Sequence, residues 1–394
     1  MVGIQAWDRP MGGNARDLAL EFSKHNRVLY VNPPINRKHR LKPGKTHRMK
    51  RKLAVLKNRR PPIQQIHDQL WVLTPKTIIE SVNWLPTGKL FNYFNALNAE
   101  RWAKAIQRQA KQLKFRDFLL FNDSSMFMGV HLKSLLRPKA YLYYIRDNLV
   151  ANPYWQKHGK VLEPRAIEEA DVVLTNAQRY AEYARRYNPK AYFVGQGCDL
   201  SLFEGGTQQL EEAEATKELP NPVIGYAGQL TTRRLDERTL CKIARENPEW
   251  TLYLLGPMDA AFRHSALHEL PNVQLPGPCP PEVLPRYLKG FDVCLNPQLI
   301  NAATKGNYPR KIDEYLAMGK PVVATRTPAM AYFEAYTYLA DTPEAYAPLI
   351  EQAMAEDTPE KQSARRAFAL SHTWSANVQA IGRALSHALD FSLY

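Results

Sequence analysis

Two successive runs of strand–helix alternation constrain this chain more than any other feature. Short apolar runs rich in Val, Leu and Tyr recur at Gly3–Ala6, Val28–Val31, Leu70–Leu73, Phe118–Phe121, Ala140–Ile145, Val172–Thr175 and Ala191–Val194. Helical spacing fills several of the intervals, at Asn14–His25, Asn95–Leu113, Glu163–Glu169 and Ala177–Tyr187. Apolar runs without polar alternation read as strands buried on both faces. Strands separated by helices pair in parallel, so the pattern predicts a parallel sheet covered by helices. In such sheets ligands gather at the carboxyl ends of the strands. Asp8, Gly12, Gly13, Asn122, Asp123 and Asp147 fall at or just beyond those ends.

A polar, apolar-poor stretch at Glu204–Pro220 interrupts the alternation, which then restarts. Strands are predicted at Val223–Tyr226, Thr251–Leu255, Val273–Leu275 and Val293–Leu295, with helices at Glu237–Glu246 and Glu282–Lys289. Helical patterns at Glu360–Leu370 and Thr373–Leu389 close the chain. The expected organisation is α/β: a Rossmann-like domain over 1–205, a linker over 206–220, a second Rossmann-like domain over 221–370 and a terminal helical segment over 371–394. At 394 residues, 45% hydrophobic and 23% charged, the chain can bury two cores. It has no apolar run long enough for a membrane helix and no secretory-type leader. Its four cysteines lack metal-type spacing and read as reduced thiols in a cytoplasmic protein.

Charge is unevenly placed. The net formal charge is +15, yet residues 1–205 hold 35 Lys and Arg against 16 Asp and Glu. Residues 37–60, RKHRLKPGKTHRMKRKLAVLKNRR, contain 12 Lys and Arg and no acid. Such a field attracts a polyanion. Leu53, Val55 and Leu56 accompany the charges, which suits an anionic membrane surface met by Lys50, Arg51, Lys52, Arg59 and Arg60. A solvated loop is the plainer alternative. Nucleic acid is not expected, because no aromatic residues interleave the charges.

The stretch 305–325, KGNYPRKIDEYLAMGKPVVAT, reads as loop, short helix, turn and buried strand. Lys305, Arg310 and Lys311 supply charge near the helix start, and Glu314 lies within the helix. Phosphate suits a helix N-terminus, and a carboxylate can accept hydrogen bonds from sugar hydroxyls. The unit is therefore expected to hold a nucleotide with phosphates and a ribose. No H-E-x-x-H, clustered His and Cys, or Asp-x-Asp is present, so no metal is expected.

Pro309, Lys311, Glu314, Tyr315, Leu316, Ala317, Gly319, Lys320, Pro321, Val322 and Val323 follow the string P-x-K-x-x-E-Y-L-A-x-G-K-P-V-V. The string resembles the donor-binding element of GT-B glycosyltransferases, especially family-4-like enzymes of bacterial cell-surface polysaccharide synthesis. IGYAGQL (224–230), LYLLGP (252–257), YLKGFDVCLNP (287–297) and HTWSANVQAIGRAL (372–385) resemble further landmarks of that fold in the same order. The resemblance implies two Rossmann-like domains facing a cleft, with a final helix crossing back to the first. It also implies transfer of a sugar from a UDP- or GDP-linked donor to a lipid-linked or polysaccharide acceptor, with retention at the anomeric carbon. The protein would be cytoplasmic and peripheral on the inner face of the cell membrane.

By the same resemblance Glu314 binds the donor ribose, where neutral replacement would leave hydroxyls unpaired. Relatives often carry another Glu eight positions earlier, where this chain has Gly306. Gly306 and Asn307 can offer backbone N–H groups to sugar or phosphate. Relatives place cations after the first strand of the second domain. Here Gly228 and Gln229 lead to Arg233 and Arg234. These two, with Lys305 and Lys311, are the candidates to stabilise the leaving diphosphate. Gly12 and Gly13 are candidates to approach it through the backbone. Asp147 and Asp123 are the candidate carboxylates at the reacting centre. The alternatives left open are a sugar-nucleotide hydrolase or epimerase on this fold, and a non-catalytic nucleic-acid-binding protein.

Overall fold

The computed structural model describes residues 1–8, 13–38, 46–203, 210–301, 304, 306 and 308–389. Gly12, Lys305 and Asn307, named above as candidate donor-site residues, lie outside the described residues. The chain forms two compact units, 1–197 with 374–394, and 198–373. Residues 198–203 thus fall in the second unit rather than the first, and the closing helix belongs to the first.

The first unit is built on an eight-stranded sheet. Its spatial order is Ala191–Phe193, Val172–Thr175, Ala140–Ile145, Leu119–Asp123, Val2–Gly3, Val28–Val31, Leu70–Leu73 and Ile63–His67. All neighbours pair in parallel except the last two. Only Asp68 and Gln69 separate those two strands, which is too short for a parallel crossover. That edge strand was not expected from sequence, because IQQIH is short and half polar. The first strand, expected at Gly3–Ala6, lies earlier and is shorter, at Val2–Gly3.

Chain order reverses between Val2–Gly3 and Leu119–Asp123. Such a reversal is a topological switch point, which opens a crevice at the strand ends. The helix expected at Glu163–Glu169 starts earlier, at Pro153, because Asn152 Oδ1 caps Tyr154 N at 2.9 Å and Pro153 occupies the first turn.

The second unit has a six-stranded, wholly parallel sheet. Its order is Val273–Gly277, Thr251–Leu255, Val223–Ala227, Val293–Asn296, Val322–Thr325 and Tyr338–Ala340. Here the switch point lies between Val223–Ala227 and Val293–Asn296. The strand at Tyr338–Ala340 and the helix at Tyr346–Ala355 complete the layers, and neither was anticipated. The short strand offers too few residues for periodicity, and the helix is nearly apolar all round.

Helix Trp374–Leu389 packs on the first sheet through Trp374, Val378, Ile381 and Leu385, which meet Leu18, Phe121, Leu142 and Leu174. Asn377 Nδ2 donates to Val194 O at 2.8 Å and to Gly195 O at 2.9 Å. The expected return of this helix to the first domain is therefore observed.

The basic stretch is not a bare loop. Residues His47–Leu56 form a helix whose start is capped by Thr46, which accepts from Met49 N at 3.3 Å. Val55 is 1% exposed, so it anchors this helix inward and is unavailable to a membrane. Lys52 Nζ donates to Pro33 O at 2.6 Å, Arg51 donates to Gln64, and Arg37 pairs with Glu80 at 2.6 Å. Lys50, Arg59 and Arg60 remain exposed.

Candidate active site

The switch point of the second unit assembles its site from strand ends and one short helix. Lys311–Ala317 forms that helix, which stops at Gly319. Tyr315 fixes it to the central strand. The Tyr315 hydroxyl accepts from Ala227 N at 2.7 Å and donates to Ala227 O at 3.1 Å. Ile312, Tyr315 and Leu316 are fully buried, so Lys311 and Glu314 share the remaining face one turn apart. This explains the E-Y-L-A order: the tyrosine locates the helix, and the acid beside it faces the strand ends.

Lys311 is enclosed, with its Nζ 3.7 Å from the centre of the Tyr226 ring and hydrogen-bonded to the Tyr226 hydroxyl. Burial, the largest influence, lowers its pKa to about 7; Glu314 opposes that shift and Arg234 adds to it. A lysine in this state is short of counter-charge. The Glu314 carboxylate has no hydrogen-bond partner among the described residues. Its pKa is raised by burial, against the pull of Arg310 and Lys311. Both groups lack partners that a diphosphate and a diol would supply.

Gly228 ends the central strand with φ +147°, and a Cβ there would sit 2.5 Å from Lys311 Nζ. The backbone itself is tight, since a Cβ on Gly256 would lie 1.8 Å from Gly228 O. Only glycine leaves Lys311 its place. Gln229 is exposed, and its carbonyl accepts from the Tyr226 hydroxyl at 3.1 Å. Arg233 and Arg234 are exposed in the same loop. Arg234 is near enough to act on Lys311 and Tyr226 electrostatically, whereas Arg233 O accepts from Asn301 Nδ2 at 3.0 Å. Gly306 is buried before the helix.

Sequence reading missed several buried groups here. Asp313, fully buried, accepts from Tyr308 Oη at 3.2 Å and lies 2.8 Å from His372 Nδ1. His372 Nε2 is 2.9 Å from the Tyr332 hydroxyl. The chain Tyr308–Asp313–His372–Tyr332 braces the helix from behind. Asn296, at the end of the neighbouring strand, is fully buried with both amide atoms unpaired among the described residues. Residue type alone offered no signal for these, because their partners are distant in sequence.

In the first unit, Asp123 does not stand free. It is buried and held by Arg146, with Nε to Oδ1 at 2.7 Å and Nη2 to Oδ2 at 3.2 Å. Such a bidentate pair fixes a carboxylate in place. Asp147 is more accessible and also meets Arg146, at 3.1 Å. Arg146 therefore bridges Asp123 and Asp147, of which Asp147 is the more exposed. Gly13 precedes helix Asn14–Phe22, where a Cβ would come 2.5 Å from Gln5 Oε1. Asp8 is half-buried nearby in sequence, and Asn122 is buried against Tyr141 Oη at 2.7 Å. Among the described residues no group of three His, Cys, Asp or Glu side chains could hold a metal, and no helix is long and apolar enough to cross a membrane.

Residues 221–356 match the family model described as Glycosyl transferases group 1. The matched span lies within the second unit. It contains Gly228, Arg234, Lys311 and Glu314. TuaH of Bacillus subtilis strain 168, named as a glycosyltransferase of teichuronic acid biosynthesis, is 26% identical over 243 residues. That match covers 58% of this chain and 60% of TuaH's length. Among solved structures, Anabaena HepE in complex with UDP and glucose is similar over 98% of each chain, at TM-score 0.63 and 16% identity. Sucrose-phosphate synthase from Thermosynechococcus elongatus is similar over 99% of this chain and 98% of its own, at TM-score 0.67 and 16% identity. The fold is GT-B, as the resemblance implied.

Proposed function

We propose that this chain is a glycosyltransferase that moves a sugar from a UDP- or GDP-linked donor to a lipid-linked or polysaccharide acceptor of the bacterial cell envelope. The observation that carries the reading is the enclosed pair Lys311 and Glu314 at the switch point, one an under-compensated cation and the other an unpaired acid. Glu314 accepts the ribose hydroxyls. Lys311 and Arg234 offset charge on the diphosphate as the sugar–phosphate bond breaks, which lowers the barrier to departure. Cationic side chains take the role that a divalent ion plays elsewhere, so no metal cofactor forms part of the proposal. Retention at the anomeric carbon follows the resemblance.

Acceptor binding is assigned to the first unit, with Asp147 as the carboxylate closest to solvent at its strand ends. The complexes of HepE with UDP, with UDP and glucose, and with UDP-glucose support a uridine donor. TuaH's naming supports an envelope glycan. The exposed cations Lys50, Arg59 and Arg60 support work at the inner membrane face. A thermal-shift panel of nucleoside diphosphates and nucleotide sugars tests the donor assignment. A ligand at 100 times its Kd should stabilise the protein by about 2.7 kcal/mol. UDP or GDP species should raise the melting temperature, and a flat response to every nucleotide would overturn the reading.

A further inference from the structure

The first unit holds a cavity that the donor chemistry does not use. About 440 Å³ in volume, it opens beside Asp147 and Asn148, at the end of strand Ala140–Ile145, and runs between helices Pro153–Glu169 and Gln178–Arg185. That size suits a small ligand. Its lining combines three kinds of group. Tyr180, Tyr183 and Tyr187 supply ring faces and hydroxyls, the pairing that suits a pyranose with one apolar face and several hydroxyls. Glu163 is buried at 6% exposure, and the Tyr183 hydroxyl donates to its Oε2 at 3.4 Å.

Burial raises the Glu163 pKa to about 7, so near neutral pH its carboxyl can both donate and accept. The Tyr143 hydroxyl, buried and without a partner among the described residues, lies within the electrostatic reach of Glu163 and Tyr183. The third group is cationic. Lys160, Arg179 and Arg186 are all exposed along the cavity, and none forms an ion pair among the described residues. Of the lining acids, Asp147 is already engaged by Arg146 and Glu163 is buried, which leaves Glu182 against three cations.

We propose that this cavity is an acceptor-side subsite for an anionic saccharide, whose rings lie on the tyrosines and whose carboxylate or phosphate meets Arg179, Arg186 and Lys160. Arginine forks suit both anions in the same two-point geometry. The inference rests on the glycosyltransferase reading and adds the acceptor's charge class and the cavity that takes it.

The test uses the full chain and three probes: an oligogalacturonate, a hexose phosphate and a neutral maltooligosaccharide. Binding is measured by calorimetry for the wild type, for the double variant Arg179→Ala/Arg186→Ala and for Tyr183→Phe, with UDP affinity measured in parallel. The arginines are exposed, so their removal should leave folding intact. An anionic probe should bind the wild type and lose about tenfold in affinity in the double variant, the loss expected for charged hydrogen bonds. UDP affinity should not change in either variant. Whichever anionic probe binds identifies carboxylate or phosphate as the recognised group. Equal binding of the neutral probe, unchanged anion binding in the double variant, or absence of saccharide binding while UDP still binds would each overturn the proposal. Saccharide binding by a wild type that takes no nucleotide would instead defeat the donor reading and leave the cavity assignment standing.

Discussion

Nucleotide binding at this site should draw a proton from solution, and Lys311 should be the group that takes it up. Enclosure lowers the Lys311 pKa from an ordinary 10.5 to about 7. That shift corresponds to a cost on the order of 5 kcal/mol for charging the lysine in the empty site. A diphosphate alongside supplies the missing counter-charge and returns the pKa toward its ordinary value. At pH 8 the free lysine is roughly one-tenth protonated and the bound lysine nearly fully so, giving an uptake of about 0.9 proton per nucleotide. At pH 6 the lysine is already charged, and the uptake falls to about 0.1 proton. Calorimetric titration with UDP in buffers of different ionisation enthalpy measures this number directly.

Lys311→Met should abolish the pH-8 uptake and weaken binding, while Glu314→Gln should retain the uptake. The same depressed pKa has a consequence for the free protein. The unfolded chain binds more protons than the folded one between about pH 7 and 10.5, so this lysine's contribution to stability rises with pH across that window. An uptake at pH 8 that is near zero in the wild type, or unchanged in Lys311→Met, would refute the assignment of Lys311 to the diphosphate.

Three further outcomes are expected. Glu163, whose pKa is raised by burial from 4.5 to about 7, holds its proton more tightly folded than unfolded, so its contribution to stability falls as pH rises from about 4.5 to 7. Glu163→Gln should therefore match the wild type near pH 4 and gain on the order of 3 kcal/mol relative to it by pH 8 in chemical denaturation, and a pH-independent difference would contradict this. Tyr315→Phe removes a hydroxyl that serves both the N–H and the carbonyl of Ala227, and should cost about 1–3 kcal/mol in denaturation together with weaker UDP binding. The basic helix and its flanks should sediment with anionic but not zwitterionic liposomes, an attraction weakened by salt and reduced when Lys50, Arg59 and Arg60 become Ser; equal pelleting with both lipids would end the membrane reading.

Much of this fold could be read from sequence because its strands are buried on both faces. Ala140–Ile145, Val172–Thr175 and Thr251–Leu255 form at the expected bounds, since unbroken Val, Leu and Tyr runs have no other stable place in a layered α/β protein. Ile63–His67 escaped because an edge strand carries polar residues on its open side. The donor helix was legible as a string, with Tyr315, Glu314 and Gly319 at fixed offsets. What the string could not give is the company those residues keep. The Tyr226 ring under Lys311 and the Asp313–His372 contact join residues 85 and 59 positions apart. The same limit applied to Asp123, which reads as an accessible strand-end acid until Arg146, 23 residues on, is seen to hold it.

The central claim is that Glu314 and its surroundings hold a nucleotide-sugar donor whose sugar is transferred to an acceptor. Its most direct test is calorimetric titration of UDP and GDP into the wild type and into Glu314→Gln, with each variant's fold checked by circular dichroism and its release of nucleoside diphosphate from the matching nucleotide sugar followed with a glycan acceptor present. The account predicts that one of the two nucleotides binds the wild type and binds the variant about 1–3 kcal/mol more weakly, with transfer lost in proportion. Undiminished affinity in a folded Glu314→Gln protein, or absence of nucleotide binding by the wild type, would contradict it.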